Sequence, residues 1–172
     1  MTKTKPKRIL AMDLSLNLPA FAVLELVGNK VKIIDIRYCD NKSYTKKSQA
    51  ERIHRIAAVT RKIIEDYPNI DVAVRERGFT RHIATTQSLF KVVGVNDLLM
   101  FEQLGIATVE EIPPTTVKKF MCDDGRASKE EVDLGIRTYL VEEQREVKFA
   151  TDDCSDAVAV GITWFIKEGY LN

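Results

Sequence analysis

Two short apolar runs, far apart in the chain, each end in a carboxylate: Ile9-Leu10-Ala11-Met12-Asp13 and Ile70-Asp71-Val72-Ala73-Val74-Arg75-Glu76. Runs this short and this apolar read as strands buried inside a sheet. An acid at the carboxyl end of a buried strand costs free energy unless a partner answers it. One such acid reads as a side chain emerging at the surface. Two of them, joined by an acid-rich helix start late in the chain, read as a shared site.

The remaining segments supply the frame. Pro19 to Leu26 and Val31 to Tyr38 are strand-like, and Gly28-Asn29 between them is a two-residue hairpin signal. The first three strands are therefore expected to form an antiparallel meander. Ser48 with Glu51 is a capping-box pattern, opening a helix that carries Ile53, Ile56, Ala57, Thr60, Ile63, Ile64 and Tyr67 on one face; Pro68 ends it. A long helical stretch follows from about Ile83 to Leu104, closed by Gly105. Ala107 to Ile112 is a fifth strand, and Pro113-Pro114 starts a short helix through Val117 and Phe120. Ser128 with Glu131 is a second capping box, before a helix with Val132, Ile136, Tyr139 and Leu140 on its core side. The last helix opens at Thr151 to Asp156, and Ala157, Val160, Gly161 and Trp164 give it one apolar stripe. A meander followed by crossover-linked strands implies an α/β fold: a mixed five-stranded sheet flanked by helices. The expected organisation is a single domain over residues 1–172, with residues 1–7 as a basic tail.

With 45% apolar and 30% charged residues, the chain has the composition of a folded globular protein, not a disordered one. No apolar run reaches membrane-span length and no signal-peptide pattern opens the chain, so a cytoplasmic protein is expected. Cys39, Cys122 and Cys154 are odd in number and lack CxxC spacing, which argues against a disulfide framework or a zinc site. The net charge of +1 conceals segregation. Residues 1–8 and 42–62 are strongly basic, whereas residues 130–146 are acidic. This is either a basic face for a polyanion or a set of ordinary solvated helix faces.

Acids at a helix start can simply cap free N–H groups and meet the positive end of the dipole. Asp153 and Asp156, three apart, also share a face and repel unless a cation sits between them. Together Asp13, Glu76, Asp153 and Asp156 offer hard oxygen donors that suit Mg²⁺, with Mn²⁺ able to substitute, rather than zinc. Two such ions about 3.5–4 Å apart can activate a water and stabilise the leaving oxygen of a phosphoryl displacement. The basic segments favour a phosphodiester as substrate.

Five motifs stand in one order. Ile9 to Asp13 looks like a first-strand catalytic motif, and Val72-Ala73-Val74-Arg75-Glu76-Arg77-Gly78-Phe79 like a strand carrying a catalytic Glu. Pro114-Thr115-Thr116-Val117-Lys118 fits P-x-x-V-K, Gly125-Arg126-Ala127-Ser128-Lys129 fits G-x-A-x-K, and Asp153-Cys154-Ser155-Asp156-Ala157 fits D-x-x-D-A. In this the chain resembles the RuvC-type Holliday-junction resolvases, over about residues 8–166. The resemblance implies a ribonuclease-H-like fold and a metal-dependent endodeoxyribonuclease acting on four-way junctions. It implies that Asp13, Glu76, Asp153 and Asp156 hold metal and are catalytic, with Lys118 and Lys129 beside the scissile phosphate. Arg75, Arg77, Phe79, Arg81 and Lys119 are expected DNA contacts, with Phe79 either a wedge stacking on unpaired bases or a core aromatic. It further implies a homodimer through the long helix, whose Leu89, Phe90, Val92, Val93, Leu98, Leu99, Met100 and Phe101 are apolar almost all round; burial within one chain is the other reading.

The sequence departs from the family at Asp13-Leu14-Ser15-Leu16-Asn17, where a Gly is common, and at Arg75 and Arg77, which flank Glu76. Charge there would strengthen phosphate contacts and relax selectivity toward forks and flaps. Rival readings are a branched-DNA binder without activity, and a ribonuclease-H-like nuclease for flaps or hybrids. Which of Asp152 and Asp153 joins the site is open, because Asp152 and Asp156 also share a face. The expected setting is the nucleoid or the cytoplasm of a phage-infected cell.

Overall fold

The computed structural model describes residues 8–78 and 82–172. The expected basic tail therefore lies outside the described residues. In chain order the elements are β1 (Arg8–Asp13), β2 (Ala20–Val27), β3 (Lys30–Tyr38), α1 (Gln49–Asp66), β4 (Val72–Glu76), α2 (Ile83–Leu104), β5 (Glu110–Ile112), α3 (Pro114–Cys122), α4 (Lys129–Tyr139) and α5 (Asp152–Lys167). Short 3-10 turns occupy Lys42–Tyr44 and Glu142–Gln144.

The five strands form one sheet in the order β3-β2-β1-β4-β5. The meander is antiparallel, while β1 pairs with β4 and β4 with β5 in parallel. The hairpin closes through Gly28, whose φ of 62° is the left-handed backbone that such a turn requires. β5 is shorter than its apolar run, because pairing with β4 begins only at Val74 opposite Glu110. The outer edge of β3 is covered rather than left open. Val31 bridges to Leu140, and the Gln144 side chain both accepts from Ile33 N (2.8 Å) and donates to Ile33 O (2.9 Å).

Strand alternation divides the core in two. Ile9, Ala11 and Val74 face one side, with α3, α4 and α5; Leu10, Met12 and Ala73 face the other, with α1 and α2. Both capping boxes form: Ser48 with Glu51 at α1, and Ser128 with Glu131 at α4. α1 buries Ile56, Ala57, Thr60, Ile63 and Ile64 as its periodicity requires. Thr60 donates to Asn96 Oδ1 (2.7 Å), a polar pair buried between α1 and α2. No helix among the described residues is long and apolar enough to cross a membrane.

α5 departs from expectation. Instead of one apolar stripe, every residue from Ala157 to Phe165 is buried. The sheet covers one side, α3 and α4 another, and the chain end returns to cover the rest, with Trp164 against Tyr170. Gly161 sits at the closest approach. A Cβ there would stand 2.4 Å from Leu24 Cδ1 and 2.9 Å from Ala11 Cβ. Gly161→Ala should therefore lower stability by about 1 kcal/mol or more, although Ala is the better helix former by about 1 kcal/mol. Urea denaturation measures it; an unchanged or raised midpoint would mean that α5 is not seated this tightly.

Candidate active site

β1 and β4 run side by side in the same direction, with Met12 opposite Arg75. One residue further, Asp13 and Glu76 leave the sheet at the same end. Both follow the alternation of Ala11 and Val74 and turn toward α5. α5 delivers its own acids to that end because it lies along β1 with its first turn there, capped by Thr151, whose Oγ1 accepts from Cys154 N. Asp13, Glu76, Asp153 and Asp156 are all partly buried.

The electrostatics show how closely they gather. Burial, and then the charges of Glu76, Asp156 and Asp153, hold the Asp13 carboxyl well above the usual carboxylate range. Burial, and then the charge of Asp156, push Glu76 up to about 7, while Lys129 and Lys118 act against this. Burial also raises Asp156, opposed by Lys129. Lys129 Nζ lies 3.1 Å from Asp156 Oδ2 and 3.9 Å from Asp152 Oδ2. Burial works against the lysine's charge, but the hydrogen bond to Asp156 and the charges of Asp156, Asp152 and Asp153 together outweigh it, and its pKa is raised. The cation at the start of α4, unfavourable for its own helix dipole, is thus answered by acids across the site.

Asp152 and Asp153 differ in their surroundings. The Asp152 side chain is 76% exposed, against 23% for Asp156, and Asp153 rather than Asp152 acts on Asp13. Among the described residues, no three His, Cys or carboxylate side chains already stand around one point closely enough to grip an ion. Asp156 is paired with Lys129 instead. In donor type the cluster fits a hard divalent cation, since every group is a carboxylate oxygen.

Asp13 and Glu76 floor a cleft of about 440 Å³. Its walls are Leu14 to Asn17, Arg77, Gly78, the start of α2 (Ala84, Thr85, Ser88 and Leu89) and Pro114. The polar wall residues Ser15, Asn17, Thr85 and Ser88 were not anticipated. Ser15 and Asn17 stand right after the first acid, which was a usable signal; Thr85 and Ser88 had none beyond i, i+3 spacing.

Arg75 must be corrected. It was expected to meet DNA, but neighbours in a strand point to opposite faces, so Arg75 turns away from Glu76. It is buried, donates to Glu111 Oε1 through Nη2 (2.9 Å) and Nε (3.1 Å), and pairs with Asp97 of α2. Arg77 is exposed at the cleft, with Nε 3.3 Å from Glu111 Oε2. Lys118 is partly buried near Glu76, whereas Lys119 is exposed on α3. Phe79 and Arg81 lie outside the described residues.

A carboxyl held above its ordinary value makes the fold bind its proton more tightly than the unfolded chain does. Stability contributed by protonated Glu76 is then present at low pH and lost as pH rises from about 4.5 to about 7, by up to ~3 kcal/mol. In chelator, urea denaturation at about pH 5 and about pH 8 should show this fall, and Glu76→Gln should weaken it. An identical pH dependence in the two proteins would contradict the placement of Glu76.

The chain matches the family model described as crossover junction endodeoxyribonuclease RuvC over residues 9–164. A protein of that name from Heliobacterium modesticaldum is 30% identical over 154 residues, which are 90% of this chain and 91% of that one. The Thermus thermophilus RuvC structure shares the fold, with a TM-score of 0.79 at 20% identity, covering 94% of this chain and 96% of that one. The T. thermophilus RuvC structure in complex with a Holliday junction substrate gives a TM-score of 0.77 at 19% identity, over 95% and 96% of the two chains. With the family model spanning the sheet, the cleft and the start of α5 alike, this chain belongs to the RuvC family of crossover junction endodeoxyribonucleases.

Proposed function

We propose that the protein is a divalent-metal-dependent endodeoxyribonuclease that hydrolyses phosphodiesters at four-way DNA junctions. The observation that carries this is the meeting of Asp13, Glu76, Asp153 and Asp156 at one end of the sheet, with Lys129 and Lys118 beside them. Bound Mg²⁺, or Mn²⁺ in its place, would supply an activated water and charge stabilisation for the leaving oxygen. Asp13 and Glu76 hold fixed positions for it because they are rooted in adjacent strands. Asp153 and Asp156 close the site from a helix that cannot shift, being buried along most of its length.

In the reaction a water oxygen bonds to phosphorus while one ester oxygen departs and takes up a proton. Lys129, whose ammonium donates to Asp156 Oδ2 at 3.1 Å, stands at the edge of the acids, where its charge can meet the phosphate oxygens. Lys118 lies where its charge already acts on Glu76. The case for relaxed selectivity is reduced, because Arg75 brings no charge to the cleft and only Arg77 does.

A homodimer is part of the proposal. α2 exposes Phe90 (61%), Leu98 (53%) and Phe101 (59%) on the side away from its buried Leu89, Val92, Leu99 and Met100. Gly94 lies in the same stripe, with open space around it. These exposed apolar groups support cover by a second chain.

Four-way junction, fork and linear duplex, each incubated in Mg²⁺ and in EDTA, test the reaction. The junction should be cut in Mg²⁺ alone, and Asp13→Asn should lose at least about 100-fold in rate while still binding. Asp153→Asn should lose comparably, with Asp152→Asn within about threefold of wild type. Cutting in EDTA would sink the mechanism, and the reverse ranking of Asp152 and Asp153 would sink the ligand assignment. The mass in solution should be that of two chains and should fall to one on Phe101→Glu; a wild-type monomer at micromolar concentration removes the dimer.

A further inference from the structure

We infer that the basic surface formed by Lys42, Lys46, Lys47, Arg52 and Lys91 binds the phosphate backbone of a duplex arm where it leaves the cleft. This rests on the junction-nuclease reading above and adds to it a second DNA-contacting surface, distinct from the acids and their lysines.

Position is the first ground. β3 ends with Tyr38 opposite Ala20, and Ala20 pairs with Asp13, so the chain leaves β3 at the same end of the sheet as the acids. The following segment is stitched to the cleft wall. Cys39 N donates to Pro19 O (3.0 Å) and Asn41 N to Asn17 O (2.9 Å). The Asn41 side chain, fully buried, donates to Leu16 O (3.1 Å) and Arg52 O (3.0 Å). Arg52 in turn donates to the Asn17 side chain. On the opposite lip, Gln49 donates to Ser88 Oγ (2.7 Å) and accepts from Lys91 Nζ (2.6 Å). Leu16, Asn17 and Ser88 all line the cleft, so the basic surface continues directly from it.

Charge is the second ground. The two ends of α1 differ in how many of their cations meet an acid. At the far end Lys62 meets Glu65 (3.5 Å) and Asp66 (2.9 Å), and Arg37 meets Asp35 and Asp66 (2.7 Å each). At the cleft end Lys42 and Lys46 are exposed and make no ion pair among the described residues, and Lys47 has only Glu51 at 3.4 Å. Arg52 and Arg55 are held by neutral groups: the side chains of Asn17 and Asn41 and the Asp40 carbonyl. Arg55 also stacks 3.6 Å above the Tyr44 ring, which fixes this corner. Cations around a helix N-terminus oppose its dipole. Glu51 is the one acid in the first turn of α1, and the cations around it outnumber it. At the cleft end the cations outnumber the acids that meet them, and a polyanion with closely spaced phosphates is the partner that fits this excess.

The test uses the full-length protein. Lys42→Gln, Lys46→Gln and Lys47→Gln are combined, and junction affinity is measured in the Asp13→Asn background across a salt series. Removing three phosphate contacts should weaken binding about tenfold or more and lower the slope of log K against log salt by about 2 to 3. Single-turnover cleavage at saturating protein, in the variant with Asp13 intact, should stay within about twofold of wild type, since none of the three touches the acids. A junction whose arms end inside the cleft should bind both proteins alike. Lys62→Gln, at the other end of α1, should leave the slope unchanged. An unchanged slope in the triple variant, an equal loss in Lys62→Gln, or an equal loss on the short-armed junction would overturn the inference. A wild-type protein that neither binds nor cuts junctions would overturn the functional reading itself, which is a separate result.

Discussion

Parallel pairing of β1 with β4 is the constraint from which the site follows. Antiparallel neighbours would put their carboxyl ends at opposite edges of the sheet. Parallel neighbours put them together, about one strand spacing apart. The register of Met12 with Arg75 then fixes Asp13 beside Glu76, and alternation turns both to the α5 side. Burial raises both carboxyls, and neighbouring charge raises them further, from Glu76 and Asp156 on Asp13 and from Asp156 on Glu76. The rest of the fold must hold these groups where they do not favour being.

α5 does much of that holding. A helix buried on one stripe could slide or tilt to relieve the charge at its first turn. α5 is clasped between the sheet, α3, α4 and the returning chain end, and at Gly161 its backbone comes down onto Ala11 and Leu24. Lys129 relieves part of the strain from across the site. Its ammonium stands 3.1 Å from Asp156, where Coulomb attraction in a partly buried setting outweighs the helix-dipole cost at the start of α4.

Much of this was legible in the chain. Short apolar runs ending in acids located β1 and β4, the capping boxes located the starts of α1 and α4, and Gly105 marked the end of α2. That Asp152 stands exposed while the charge of Asp153 reaches Asp13 needed three dimensions, because both face pairings with Asp156 are allowed on a helix. The full burial of α5 was hidden for the same reason: Ser155 and Thr163 interrupt the apolar pattern yet are buried. Arg75 is different. Its direction was already set by the period of a strand, in which adjacent side chains cannot share a face, and closeness in sequence to Glu76 was taken for closeness in space.

That same alternation gives β4 two roles at once. Glu76 faces the acids, and Arg75 reaches the other way to Glu111 of β5 and Asp97 of α2. Arg75 is nearly inaccessible, so removing either carboxylate would leave a buried cation poorly compensated, which costs more than the pair contributes when intact. Asp97 is flanked in sequence by Leu98, one of the exposed apolar residues of α2. A second chain seated on that stripe would bear on the helix turn that grips Arg75, and through β4 on the strand end that carries Glu76. The proposed dimer surface and the acid cluster are therefore joined by one strand, and the buried ion pair keeps that strand from moving independently of the helix beside it.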